Sequence, residues 1–425
     1  MKVEPRRQTR FAWAVILFLF VGSVLNYMDR ALLGVVMPQV RKDLSLSNAD
    51  YGLALNAFLI LYMVFYVLGG RLADRLGCRR TFSITLVFWS VACVLHSFAQ
   101  GLRSLSFFRA LLGMGQGGFY PTAIRGAAEW LPPQDRAKAV GLFLCGISVG
   151  TLITPPLVAW ITVFYGWRAA FAAIGAAGFL LLPPWLFLHG RIRNAYGAPD
   201  PEPAFAPEEL SQPAGGASVA DVFRSRKYWC FLAARSFSDA AWYFYLFWMP
   251  AYFQDARGFS LEMAGKLLWI PFFCADIGAL GGAWASSALI RRGFSVNSGR
   301  KTLLIPSALL CVSGGLAPFV PAPVAALALV SLTLLGHQSW SSNIHTAITE
   351  IAPRTGVAVL YGMTGAAGTL MGAIAQPLIG HTVDVAGYTP GFVGAGAVYL
   401  AALVLLLAAG RIEPIRRPAR AAAAG

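Results

Sequence analysis

Apolar segments of about 20 residues recur along this chain, and they constrain its fold more than any other feature. An α-helix needs a segment of this length to cross the hydrocarbon core of a bilayer. Twelve such segments can be marked, at 11–37, 51–72, 81–99, 103–125, 139–161, 169–189, 228–252, 263–290, 301–320, 323–346, 356–380 and 390–410. The pattern predicts an all-α membrane protein with twelve transmembrane helices.

Composition supports this prediction and excludes other classes of protein. Of the 425 residues, 57% are hydrophobic and only 12% are charged, whereas soluble globular chains carry roughly 25% charged residues. So few charges cannot cover the surface of a soluble enzyme of this size. Intrinsic disorder is excluded as well, because it requires low hydrophobicity.

The charges that remain are strongly unequal in sign. The chain has 34 Lys and Arg against 19 Asp and Glu, which gives a net charge of +15. Such a surplus indicates nucleic-acid binding, attraction to an anionic membrane surface, or membrane topology. If the N-terminus is cytoplasmic, 25 of the basic residues fall in cytoplasmic segments, six on the opposite side and three inside spans. This asymmetry predicts that both termini are cytoplasmic, and it leaves no role for a nucleic-acid partner.

The twelve segments divide into two groups of six around one polar, Pro-rich stretch. This predicts an N-terminal six-helix half at 1–189 and a C-terminal half at 228–411. The intervening residues 190–227 are expected to form a cytoplasmic linker, and 412–425 a cytoplasmic tail.

An internal repeat supports the two halves. When the halves are aligned without gaps, seven positions agree, among them Gly166 with Gly387 and Phe171 with Phe392. Chance agreement in a biased sequence is the alternative interpretation. A true parallel repeat predicts pseudo-symmetric halves, a central site at their interface, and rocking of one half against the other.

The loop after the second segment carries an ordered motif, G-x-L-A-D-R-x-G-x-R-R. Gly70 permits close helix contact and Gly77 permits a sharp turn. Asp74 can cap a neighbouring helix and pair with Arg75 or Arg79. We predict that these five residues form a conformational latch between the halves. The motif resembles the signature loop of the major facilitator superfamily.

Ionisable residues inside the apolar segments indicate function, because burying charge in a bilayer is unfavourable. The first segment contains Asn26-Tyr-Met-Asp-Arg30, in which Asn26 and Arg30 share a helical face. Asp29 beside Arg30 is either a mutually neutralising pair or a proton carrier next to an anion-binding group. In the fourth segment, Arg109 and Gln116 share a face about 10 Å apart along the axis, and both are candidates for contact with the substrate. Arg30 and Arg109 together can hold a carboxylate, although Arg109 can instead snorkel to the membrane interface.

Polar side chains also interrupt the second half. Arg235 and Asp239 are four residues apart in the seventh segment, and a structural ion pair is the leading interpretation. Tyr243 in the same segment can donate a hydroxyl hydrogen bond to a polyol. Asp276 in the eighth segment is either a second titrating group or a packing hydrogen-bonder.

The tenth segment has the highest density of polar side chains, in His-Gln-Ser-Trp-Ser-Ser-Asn. Its candidates for contact with a hydroxyl-rich ligand are His337, Ser341 and Asn343.

Together these motifs resemble the anion:cation symporter family of the superfamily, and most of all its hexuronate and sugar-acid transporters. The resemblance implies a monomeric carrier in a bacterial inner membrane that imports a small organic anion with protons. It implies that Asp29 is the protonatable carboxylate, that Arg30 and Arg109 contact the substrate carboxylate, and that Tyr27 lines the site.

One position departs from the family. Many relatives carry a buried Glu where this chain has Gln116, which cannot titrate. Either Asp29 alone carries the proton, or Asp239 or Asp276 substitutes, or coupling is weakened to facilitated diffusion. An exporter of another organic acid or of a drug-like solute shares the predicted fold, and a membrane receptor is the alternative from another class. The sequence has no HExxH motif, no GxSxG motif in a reactive context and no paired metal ligands, so we expect no enzyme activity, no cofactor and no metal site.

Overall fold

The computed structural model describes residues 5–196, 219–352 and 357–415, and the regular elements in these ranges are all helices. The α-helices are α1 (Pro5–Leu44), α2 (Asn48–Leu95), α3 (Leu102–Gly117), α4 (Phe119–Trp130), α5 (Pro133–Tyr196), α6 (Val219–Phe223), α7 (Arg226–Asp255), α8 (Leu261–Leu267), α9 (Trp269–Arg291), α10 (Val296–Cys311), α11 (Pro323–Ile351), α12 (Val357–Ala386) and α13 (Thr389–Ala408). Two 3₁₀ segments, His96–Phe98 and Val312–Phe319, follow α2 and α10. Residues 197–218 of the predicted linker and 416–425 of the predicted tail lie outside the described residues.

Seven stretches of the described residues are long and apolar enough to cross a membrane. Two of them are far longer than one span, because α2 and α5 each continue through a kink. The kinks are at Gly77, with φ 75° and ψ 169°, and at Gly166, with φ 81° and ψ 163°. A positive φ of this kind is accessible to glycine without steric cost. Each of these two helices therefore contains two of the predicted segments, while the full count of twelve spans stays a prediction.

The fourth predicted segment is broken in the middle. It comprises α3 and α4, which meet at Gly118, where the backbone N–H bonds to the carbonyl of Gln116. The break follows from a run of glycines, which have the lowest helix propensity of the ordinary residues. Consequently Arg109 and Gln116 both lie on the short helix α3.

The helices cluster into two compact units. The first comprises the described residues within Met1–Phe205, Leu246–Trp269 and Gln376–His381, and the second comprises those within Ala206–Tyr245, Ile270–Ala375 and Thr382–Gly425. Within the first unit α2 packs mainly on α3, and α1 packs on α5. Within the second unit α10 packs on α11, and α13 packs on the 3₁₀ segment Val312–Phe319.

The end of α7 and a short part of α12 belong to the first unit because specific hydrogen bonds hold them there. Tyr51 on α2 donates its hydroxyl to the carbonyl of Phe247 at 2.8 Å. The indole N–H of Trp248 donates to the Gln376 amide oxygen, also at 2.8 Å. The ring centroids of Tyr51 and Trp248 lie 4.8 Å apart.

Aromatic side chains form the interior of both units. In the first, Phe82 meets Trp185 edge-on with ring centroids 4.6 Å apart, and Trp89 meets Phe119 in the same way at 5.6 Å. In the second, Phe244 packs edge-on against Phe392 at 5.0 Å. Such contacts give the close packing that replaces hydrophobic burial between helices in a lipid environment.

A backbone feature recurs at aligned positions of the predicted repeat. Gly166 and Gly387, which the alignment of the halves pairs, both adopt a positive φ, of 81° and 71°. Because only glycine visits this region readily, the shared conformation favours a true repeat over chance agreement.

Candidate functional site

Arg30 of the first unit lies inside a box of aromatic rings. Its guanidinium carbon is 4.5 Å from the ring centroid of Tyr62, 4.7 Å from that of Tyr27 and 5.4 Å from that of Phe58. The residue is only 2% exposed. Cation–π attraction of this kind is worth up to about 2 kcal/mol per ring when water is excluded. The rings therefore hold the guanidinium in a defined position.

Gln116 on α3 connects this arginine to the backbone of α1. Its amide nitrogen donates to the carbonyl oxygen of Asn26 at 3.0 Å. Its amide oxygen accepts from Arg30 Nη2 at 3.5 Å, and the same arginine nitrogen donates to the Asn26 side-chain oxygen at 3.4 Å. An ionised Glu cannot make the first of these bonds, because it has no hydrogen to donate.

Asp29 faces away from this box. The Cys93 thiol lies within hydrogen-bonding reach of its carboxyl group, and Arg109 acts on it electrostatically. Asp29 is 1% exposed, and its Oδ1 atom has no hydrogen-bond partner among the described residues. Asp29 and Arg30 are thus neighbours in sequence that point into different surroundings.

Arg109 is fully buried, and none of its three guanidinium nitrogens has a hydrogen-bond partner among the described residues. A buried guanidinium without acceptors is strongly unfavourable. The alternative interpretation, that Arg109 snorkels to the membrane interface, does not agree with its complete burial. With Asp29 and Arg30 it forms a cluster of two cations and one anion, which we call the first cluster.

Glycines on α3 allow this helix to approach α2 closely. A Cβ atom on Gly113 would lie 2.3 Å from the Phe58 carbonyl oxygen, and one on Gly117 would lie 2.7 Å from that of Tyr62. Both distances are far below van der Waals contact. The glycine run therefore brings α3, which carries Gln116, close to Phe58 and Tyr62, two of the three rings that surround Arg30.

The candidates on the second unit are engaged to different degrees. His337 hydrogen-bonds through Nδ1 to the Tyr399 hydroxyl, and its ring stacks on Trp242 with centroids 5.0 Å apart. Tyr243 packs tightly on Gly372, where a Cβ atom would lie 2.4 Å from its ring. Ser341 is half-buried.

Asn343 belongs to a separate polar network. Its amide nitrogen donates to the Ser339 carbonyl at 2.9 Å, and its side-chain oxygen accepts from Arg300 Nη1 at 3.4 Å. Arg300 also forms a salt bridge with Glu350 at 2.8 Å. The joint role of the first cluster and these four second-unit candidates as substrate contacts stays a prediction.

The signature loop of the first unit is held by a residue outside the motif. Glu129 at the end of α4 accepts from the backbone N–H of Cys78 with both carboxylate oxygens, at 3.1 and 3.2 Å. It also pairs with Arg125 at 2.9 Å, and the two side chains are buried, with 8% and 7% exposed. The alignment of the halves places Glu350, which pairs with Arg300, at the position of Glu129, so the repeat extends to this acidic position.

The predicted latch residues have few contacts in the described part of the chain. Gly77 makes the expected turn, but the tightest helix approach is at Gly69, where a Cβ atom would lie 2.3 Å from Gly118. At Gly70 the corresponding distance, to Pro121, is an ordinary 3.7 Å. Asp74 and Arg75 are exposed or partly exposed, and the described residues include no salt bridge of Asp74, Arg75 or Arg79. The latch stays a prediction.

A profile of the Major Facilitator Superfamily matches residues 19–376 of this sequence. This chain belongs to the Major Facilitator Superfamily. The predicted superfamily and its all-α membrane fold are therefore confirmed, and the protein is a multi-pass membrane transporter rather than an enzyme.

The curated relatives of this superfamily member include several sugar-acid carriers. It is 28% identical over 388 residues to the "Hexuronate transporter" of Escherichia coli (strain K12), with 89% of each chain covered. It is also 28% identical over 430 residues to the "D-galactonate transporter" of Escherichia coli O6:H1, with 97% of this chain and 99% of the relative covered. A "Probable galactarate/D-glucarate transporter" of Bacillus subtilis (strain 168) is 27% identical, with 97% and 94% covered. The predicted resemblance to this group is confirmed.

Solved structures confirm the fold. A bacterial homolog of the human lysosomal transporter Spinster, inward-facing and unoccupied, matches with a TM-score of 0.72 at 18% identity, and 96% of each chain is covered. A D-xylose-proton symporter matches with a TM-score of 0.71 at 17% identity, and 95% of this chain and 98% of that chain are covered.

Proposed function

We propose that this transporter imports a sugar acid, most simply a hexuronate, together with protons, and that the first cluster binds the acid's carboxylate. One observation carries the proposal: Arg109 is fully buried while its guanidinium nitrogens have no acceptor among the described residues. A carboxylate supplies two acceptors in the planar arrangement that a guanidinium group matches.

The net charge of the cluster supports an anionic substrate. Arg30 and Arg109 carry two positive charges, and Asp29 carries at most one negative charge. An anion therefore neutralises the cluster, whereas a neutral sugar does not. Both arginines are enclosed in this conformation, so binding requires a second conformation that opens the cluster, as alternating access provides.

Asp29 is the group that we propose to couple transport to protons. Protonation removes its charge and raises the net charge of the cluster from +1 to +2, which strengthens the attraction for the substrate anion. Bound anion in turn favours the next conformational step. The names of the relatives support a sugar acid as that anion.

We further propose that the protein lies in a bacterial inner membrane as a monomer, with both termini in the cytoplasm. The distribution of basic residues supports this orientation. In this arrangement the protons enter from the outside and drive accumulation of the acid in the cell.

Uptake into proteoliposomes tests the proposal. With an imposed inward proton gradient, we expect accumulation of labelled glucuronate, galactonate or galactarate, and no accumulation of glucose. A protonophore should abolish accumulation and leave exchange intact. If none of the acids is taken up under a proton gradient, the proposal is wrong.

A second candidate function is an uncoupled facilitator or an exporter of another acid. The observation in its favour is that Gln116, which cannot titrate, already satisfies both Arg30 and the Asn26 carbonyl. This alternative predicts that uptake stops at equilibrium and is unaffected by the protonophore.

A further inference from the structure

Arg235 and Asp239 form a second buried cluster of opposite charges, in the second unit. The two residues are four positions apart on α7, and Arg235 Nε lies 3.4 Å from Asp239 Oδ2. Their side chains are 8% and 21% exposed. The first cluster has an excess positive charge, whereas this second cluster is neutral when Asp239 is ionised.

Hydrogen bonds and packing contacts hold the pair against α12. Arg235 Nη1 donates to the Thr364 hydroxyl at 2.6 Å and to the Tyr361 carbonyl at 3.3 Å. Its guanidinium carbon also lies 4.6 Å from the ring centroid of Tyr361. Asp239 packs against the backbone of the same helix, because a Cβ atom on Gly368 would lie 2.1 Å from Asp239 Oδ2.

Arg235 therefore keeps its acceptors when Asp239 is neutral. The hydroxyl, the carbonyl and the aromatic face all belong to α12, and none of them depends on the charge of Asp239. Removing the negative charge from most buried ion pairs leaves an uncompensated cation, which costs several kcal/mol. Here that cost is reduced, so Asp239 can change between ionised and neutral forms without disrupting the fold.

The surroundings of Asp239 contain no competing acid within the described part of the chain. There, Arg235 is the charged group that acts on Asp239. The titratable groups that face the cluster are Tyr228 on α7, Tyr361 on α12, His345 on α11 and Tyr399 on α13. His345 and His337 are each hydrogen-bonded to a tyrosine, namely Tyr361 and Tyr399.

The cluster lies where α7 contacts α12, and each of these helices takes part in both compact units. Helix α7 passes from the second unit to the first after Tyr245, and α12 does so after Ala375. Asp239 precedes the first of these points by less than two helical turns. A change in its charge acts on the bonds that join these two helices within the second unit.

We propose that Asp239 is a second proton carrier, which acts in addition to Asp29 and takes over the titrating role that Gln116 cannot perform. The inference rests on the proposed proton-coupled transport. One proton binds the Asp239 carboxylate, the contact with Arg235 Nε is broken, and Arg235 stays protonated on its α12 acceptors. Two protons and one monovalent acid anion then move one net positive charge per cycle.

Reversal-potential measurements in proteoliposomes test this directly. The acid gradient that exactly opposes a known proton gradient gives the number of protons per substrate. We expect two for the wild-type protein, one for Asp239→Asn, and two for the control Asp276→Asn, which removes another acid from the same unit. An inside-negative potassium diffusion potential should accelerate uptake by the wild type and have no effect on Asp239→Asn.

The outcomes separate this inference from the proposed function. If the wild type shows no proton dependence, the proposed function itself is wrong. If the wild type couples one proton, or if Asp239→Asn still couples two, proton-coupled transport stands and the role of Asp239 is wrong. If Asp276→Asn alone lowers the ratio, the second carrier is Asp276.

A folding defect is controlled by a second variant. Arg235→Gln with Asp239→Asn removes both charges together, so no unpaired buried charge remains. We expect this double variant to exchange acid for acid and to couple one proton. A ratio of two in a double variant that exchanges normally overturns the proposal.

Discussion

Replacing Gly113 with Ala should disrupt the first cluster without changing any charged group. Gly113 lies on α3 between Arg109 and Gln116, and it is in contact with the backbone of α2. The new Cβ atom would lie 2.3 Å from the Phe58 carbonyl oxygen and 3.0 Å from the Tyr62 backbone nitrogen. Because both atoms belong to the backbone of a helix, no side-chain rotation can relieve the overlap.

The size of the displacement follows from these distances. An ordinary contact begins at 3.4 Å, so α3 must move away from α2 by about 1.1 Å. The bond from Gln116 to the Asn26 carbonyl, now 3.0 Å, then lengthens to roughly 4 Å and is lost. Overpacking of this kind costs about 1–3 kcal/mol. Each 1.4 kcal/mol that is lost from substrate binding corresponds to about tenfold in affinity.

Gly141→Ala is the matched control. Gly141 lies on α5, and a Cβ atom there would meet nothing within 4 Å. In a helix, Ala is preferred to Gly by about 1 kcal/mol, so this variant should melt at the same temperature as the wild type or higher. Melting temperature of the purified protein and the KM for acid uptake are the two measurements. If Gly113→Ala matches Gly141→Ala in both, the close approach of α3 does not position the site and the reasoning is refuted.

Three further substitutions test separate parts of the site. Arg30→Lys keeps the charge but loses the planar stacking on aromatic rings, and we expect the KM for acid to rise about 10- to 100-fold. Arg103→Lys on the exposed side of α3 should leave KM unchanged, and an equal effect of both variants would contradict a specific role. Asp29→Asn should lower the number of protons per acid from two to one, because Asp239 still carries its proton, while acid exchange continues; an unchanged count of two would exclude Asp29 as a proton carrier. Glu129→Gln breaks the buried pair with Arg125 and should lower the free energy of unfolding by about 3 kcal/mol. We expect a lower melting temperature and an unchanged KM. An unaltered melting temperature would show that the pair does not hold the loop.

The parts of the fold that the sequence predicts depend on short stretches of chain. A long apolar segment needs a membrane-spanning helix whatever its neighbours are. Gly77 and Gly166 occur where the direction of the chain changes, and glycine is the residue that the observed backbone angles require. Even so, the break between α3 and α4 at Gly118 was not predicted, because the glycine run alone does not show whether a helix bends or ends.

The surroundings of the first cluster depend on packing between helices and were not predicted. In the sequence, Phe58 and Tyr62 are ordinary residues of an apolar segment. Only the packing of the helices places their rings against Arg30. Cys93 is an ordinary residue of the third apolar segment in the sequence, and in the structure it lies at the Asp29 carboxyl group. Glu129 stands outside the signature motif, although its repeat partner Glu350 was available as a signal. Aligning the two halves at acidic positions would have identified it.

The two clusters have different roles in a proton-coupled carrier because their net charges differ. The first cluster contains two arginines and one aspartate, and Arg109 has no acceptor in the described part of the chain. This cluster therefore requires an external anion. In the second, Arg235 already has acceptors on α12 besides Asp239, so no external anion is needed and protonation alone changes the state. Although Gln116 cannot titrate, each cluster retains a carboxylate. Asp29 lies next to the proposed anion site, and Asp239 lies on α7 where this helix contacts α12. Coupling then requires both clusters to lose their negative charge. The number of protons per acid, rather than the identity of the acid, is therefore the measurement that decides the mechanism.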